Sequence, residues 1–89
     1  MMAMVATEEG AEILALQALG WLAGQPERLE RFLALTGLDG DTLRQVADSP
    51  DTARAVLDFV LADEDMLLDF CEMAQIPPKS LPLYRLRLG

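Results

Sequence analysis

Apolar residues along this chain recur every three or four positions, and capping or stop residues cut them into short blocks. Thr7 reads as an N-cap, with Glu8 and Glu9 behind it where they favour the helix dipole. Ile13, Leu14, Leu16, Leu19, Trp21 and Leu22 then form a stripe wider than one packed surface needs, and Gly24 ends it. Pro26 suits the first position of a second helix, whose Leu29, Phe32, Leu33 and Leu35 point inward while Arg28, Glu30 and Arg31 point outward. Gly37 can take the left-handed backbone of a helix stop, with Leu38 folding back onto the last turn.

Asp39 caps a short third helix holding Leu43 and Val46, and Ser49-Pro50 starts a fourth with Val56, Leu57, Phe59, Val60 and Leu61. Asp63 caps a fifth, whose apolar side is Met66, Leu67, Phe70, Cys71 and Met73, and Ile76-Pro77-Pro78 stops it. The tail KSLPLYRLRLG has Pro82 in a position tolerable only in a first helical turn, so a last helix begins around Ser80 or Leu81. No stretch sustains period-two alternation. The pattern predicts an all-α fold: a compact bundle of five or six short helices, built as two similar helical-hairpin units around one core. Residues 1–6 read as a disordered N-terminal segment and residues 7–89 as a single helical domain.

The two units come from an echo. A shift of 38 residues lays 18–43 onto 56–81, matching Leu19, Leu29, Phe32 and Leu43 with Leu57, Leu67, Phe70 and Leu81. Trp21 falls on Phe59, Leu33 on Cys71, Leu38 on Ile76, and Gln25 on Asp63, both at a break between helices. The shared columns are core columns, so stacking the hairpins face to face buries both stripes. Trp21, Phe32, Phe59 and Phe70 are the expected core aromatics. Outer positions diverge: Arg31 becomes Asp69 and Arg28 becomes Met66.

Charge changes the picture because it is uneven. Fifteen acids against seven bases give −8. From Gln45 to Pro78 eight acids face Arg54 alone, whereas the tail from Lys79 carries three bases and no acid. Asp58, Asp63, Glu64, Asp65, Asp69 and Glu72 form a candidate acidic, partner-facing patch, since long-range fields of one sign attract basic surfaces.

The chemical inventory is sparse. There is no histidine, hence neither the usual general base at neutral pH nor the commonest metal ligand. The one cysteine, Cys71, stands where Leu33 stands and has Asp69 and Glu72 nearby, which suits a buried apolar residue rather than a reactive thiol. As an EF-hand loop from Asp63, the sixth residue is Leu68 and the twelfth Ala74, so the glycine and glutamate that calcium binding requires are missing. No glycine-rich phosphate loop occurs. These observations point away from an enzyme and imply no cofactor and no metal. The apolar run ILALQALGWLAG is too short to span a bilayer and the start has no basic signal region, so a cytoplasmic setting without membrane contact is expected.

Two functional readings remain. The first is a non-catalytic protein–protein interaction module, with a protein partner or self-association. The second is a helix-turn-helix-like nucleic-acid-binding regulator using residues 39–48, with Arg44 and Gln45 as readers. Asp39, Asp41 and Asp48 around that helix oppose phosphate contact and make the second the alternative.

The order LALQALGWLAGQPERLERFLALTGLDGDTLR, then VLDFVLADEDMLLDFCEMAQIPP, resembles a family of small alphaproteobacterial all-helical proteins catalogued as a domain of unknown function. RFLALTGL and VLDFVLADE are its most specific phrases, and the likeness runs from about Ala11 to Leu88. It implies a small helical bacterial protein and brings no activity, cofactor or site. Pro82 departs from the family pattern, in a stretch that looks plainly helical there.

Overall fold

The caps read from the sequence act as caps. In the computed structural model, which describes residues 6–89, Thr7 Oγ1 accepts from Gly10 N–H at 2.9 Å and opens α1, Glu8–Ala23. Pro26 begins α2, Pro26–Thr36, and Asp39 Oδ1 accepts from Thr42 N–H at 2.7 Å to start α3, Gly40–Val46. Ser49 Oγ and Asp63 Oδ1 cap α4, Pro50–Leu61, and α5, Glu64–Ala74, each accepting at 3.2 Å. A single 3-10 turn, Pro78–Ser80, leads into α6, Leu81–Leu86, with Pro82 in its first turn, where its missing N–H has no partner to lose. The bundle is all-helical among the described residues. Of the expected disordered segment, residues 1–5 lie outside those described.

α1 and α4 lie against each other as the central pair. Ala11, Leu14, Ala15, Ala18 and Leu22 are the buried side of α1, and Ala53, Val56, Leu57, Phe59 and Val60 that of α4. Each central helix carries its own hairpin partner, α2 on α1 and α5 on α4. Each partner also touches the other unit's central helix, α2 on α4 and α5 on α1.

The 38-residue echo thus becomes approximate two-fold packing. Trp21 meets Phe70 with ring centroids 5.4 Å apart, and Phe32 meets Phe59 at 5.3 Å. Shifting Trp21 and Phe70 by 38 residues in opposite directions turns the first pair into the second. The stops match as well: Gly37 (φ 74°) and Gln75 (φ 59°) both adopt the left-handed conformation, with Gly37 N–H donating to the Leu33 carbonyl, Gln75 N–H to the Glu72 carbonyl, and Ile76 N–H to the carbonyl of Cys71, the equivalent of Leu33.

Phe32, Phe59 and Phe70 are buried and Trp21 is half-buried. Five residues depart from expectation in detail. Leu35 is 74% exposed, because it lies beyond Phe32 from the Leu29–Leu33 side. Thr36 takes the inward place, its hydroxyl donating to the Phe32 carbonyl at 2.9 Å. Ile13 and Leu16 are about half exposed, since the α1 stripe is wider than α4 covers, and Met73 is likewise half exposed on α5. Arg28, expected outward, is folded over the Trp21 ring with its guanidinium carbon 5.3 Å from the centroid.

Candidate functional site

The six acids of the proposed patch divide into two sets. Asp58 on α4 accepts from Arg85 twice, from Nε at 2.7 Å and from Nη2 at 3.2 Å. Asp69 accepts from Arg28 Nη2 at 3.0 Å, and Asp63, besides capping α5, lies 3.9 Å from Arg31. Glu64, Asp65 and Glu72 are exposed on α5 and make no ion pair among the described residues.

This arrangement accounts for α5 carrying Met66 and Asp69 where α2 carries Arg28 and Arg31. Arg28 and Arg31 of α2 reach across the two-fold to Asp69 and Asp63, and each also lies over an aromatic face, Trp21 or Phe59. Arginines in both copies would place like charges against one another across this seam. Half-exposed pairs of this kind add about 0–1 kcal/mol each, so they set register more than stability.

The helix-turn-helix residues lie on α3 and just beyond it. Arg44 is almost fully exposed, 3.5 Å from Asp41, and Gln45 is exposed beside it. Asp39 is held below its ordinary carboxylate pKa, chiefly by the Thr42 backbone N–H. Cys71 is buried and its thiol pKa is pushed up by desolvation, which leaves it protonated and unreactive at neutral pH. Among the described residues no three potential metal-ligating side chains converge. No helix of these residues is long and apolar enough to cross a membrane.

A site that sequence reading did not anticipate lies where the two units differ. An apolar groove of about 360 Å³ opens between α1, α2 and α3, lined by Leu16, Leu19, Gly20, Leu29, Leu33 and Leu43, with Ala47 at one end. Its 38-shifted counterpart is closed. There Leu57, Cys71 and Leu81 are 0–1% exposed, α6 packs directly on α4, and Asp58 and Arg85 clamp the two together. In the open unit the clamp positions hold Gly20 and Ala47, which cannot pair, and α3 makes only sparse contact with α1. Leu19 and Leu33 are left half-buried. The signal was present in the sequence as acid and base at 58 and 85 against glycine and alanine at 20 and 47, legible only once the units are superposed.

No curated protein and no solved structure matches this chain. A family match does cover residues 8–89, from the first residue of α1 to the end of the described chain. By that match the chain belongs to the DUF3572 family, whose description is "Protein of unknown function".

Proposed function

We propose that this protein is a non-catalytic protein-binding module whose recognition surface is the α1–α2–α3 groove, which takes a helical segment of a partner. One observation carries the reading. Two hairpins of the same design lie in one molecule; one has Leu57 and Cys71 fully covered and its last helix clamped, and the other leaves their counterparts Leu19 and Leu33 half-buried beside the exposed Leu16. Helix-in-groove recognition uses such a surface, with apolar anchors on one helical face entering a preformed trough. The absence of histidine and the buried, protonated Cys71 support a binding role over catalysis. The net charge of −8 adds attraction for basic partners and faster encounter at low salt.

A photo-crosslinking residue at position 16, at the groove, tests this against the same residue at position 68, an equally exposed leucine on α5. In the native host, position 16 is expected to give a discrete adduct, mapped by mass spectrometry to one segment of one protein, that position 68 does not give. No adduct from position 16, or the same products from both positions, overturns the proposal.

A further inference from the structure

We infer that the segment entering this groove is a basic amphipathic helix of a partner protein, patterned like this chain's own residues 81–88. The inference rests on reading the groove as a binding site and adds the chemistry of what it binds. The closed unit is the template. Its hairpin holds α6 and the turn after it, burying Leu81, Tyr84 and Leu88 at spacings of three and four, with Arg85 in the helix, Arg87 just after it, Lys79 just before it and no acid. The hairpin grips that helix through Asp58 on Arg85, and Arg54 Nη1 donates to the Leu88 carbonyl at 2.9 Å.

The open unit offers Leu19 and Leu33, half-buried, and the exposed Leu16, with an excess of acid. Residues 8–48 hold eight acids and three arginines. Arg28 and Arg31 are committed to Asp69 and Asp63 of the other unit, and Arg44 at the groove lies against Asp41. Leu16 and Ala47 also line a smaller cleft of about 130 Å³ with Glu12 and Asp48, both exposed and in no ion pair among the described residues. An apolar trough ending in two uncommitted carboxylates complements a helix with an apolar face and Lys or Arg beside it. The chain's own α3 does not complete the cover: it buries Leu43 at the place of Leu81, but it has Asp39 and Asp41 at its start and alanine at 47 where the other unit has Arg85. A second copy's tail is no better placed, since its Leu81 is fully buried in its own core and release would expose that core.

The probe is a synthetic peptide of residues 77–89, PPKSLPLYRLRLG, titrated into the isotopically labelled full chain and followed by amide NMR. Shifts are expected at Leu16, Gly20, Leu29, Leu33 and Leu43, with affinity falling roughly tenfold between about 20 and about 500 mM salt. A second peptide with glutamine at the positions of Lys79, Arg85 and Arg87 should bind roughly tenfold more weakly. Equal binding by the neutral peptide overturns the inference, as do absence of binding and shifts confined to α4 and α5, which mark exchange with the resident tail.

The Gly20→Asp, Ala47→Arg double variant supplies the closed unit's clamp to the open one. A Cβ at Gly20 meets nothing within 4 Å, so the helix accepts it, and a thermal melt confirms folding. The folded variant should lose at least roughly tenfold in peptide affinity through closure of α3; unchanged affinity overturns the inference. If the peptide fails while position 16 still crosslinks discretely, the basic-helix inference falls and the binding reading stands. Failure of both removes both.

Discussion

The paired helix stops permit a sharp energetic test, because equivalent positions use a glycine in one unit and a glutamine in the other. At Gly37 (φ 74°) a Cβ would meet no atom within 4 Å, so replacing it changes backbone energy and little else. An L-residue in the left-handed region costs about 1–2 kcal/mol. Against this, Gly→Ala removes unfolded-state freedom amounting to about 0.4–1 kcal/mol. Gly37→Ala should therefore destabilise by roughly 0.5–1.5 kcal/mol.

Gln75 (φ 59°) already bears that cost, and its side chain is exposed. Gln75→Gly should accordingly stabilise by roughly 0.5–1 kcal/mol, raising Tm by about 2–8 °C for a domain of this size. Urea and thermal unfolding followed by circular dichroism measure both variants. The stops share no partner, so the double variant should fall near the parent by additivity. A Gln75→Gly chain that melts below the parent, or a Gly37→Ala chain that matches it, would refute the assignment of equivalent left-handed stops.

Other perturbations give equally direct outcomes. Phe32→Ala and Phe70→Ala each remove a fully buried ring from one of the exchanged aromatic pairs and should cost about 3–5 kcal/mol, much of a small domain's stability; a melt within a few degrees of the parent would contradict the two-fold core. Arg28→Ala breaks the Asp69 pair and uncovers Trp21, for an expected loss of about 1–2 kcal/mol in urea titrations, with the Trp21 fluorescence shifting as its ring becomes wetter. Because the folded pKa of Asp39 is depressed below 3.8, the stability it contributes is present above that value and is lost as pH falls through the depressed one. The Tm gap between parent and Asp39→Ala should thus hold at pH 7 and close on acidification through that window; a gap that persists in acid would contradict the cap. Native Cys71 should resist iodoacetamide at pH 7 and react promptly in denaturant, whereas fast labelling of the folded chain would contradict its burial.

Local structure was legible because its causes are local. Thr7, Asp39, Ser49 and Asp63 cap helices through their own side chains within three residues, and Pro26 and Pro50 sit where a missing N–H costs nothing. The repeat of apolar columns likewise located the buried Phe32, Phe59 and Phe70, since a helix needs one continuous stripe to pack. Family membership was readable in the same residues.

What the chain alone left open depended on which surfaces meet. The apolar character of Leu35 suggests an inward place, but Thr36 lies nearer the Phe32–Leu33 side that packs on the rest of the bundle, and which side packs is settled by the neighbouring helices. Nothing local to Arg28 says that Asp69, 41 positions away, is its partner, because ion pairing follows proximity in space and any of the fifteen acids carries the same charge. The groove belongs to this second kind of fact. Leu19 and Leu33 look like core leucines in the sequence, and they are left half-buried where α3, without a clamp at Gly20 and Ala47, covers them less than α6 covers Leu57 and Cys71.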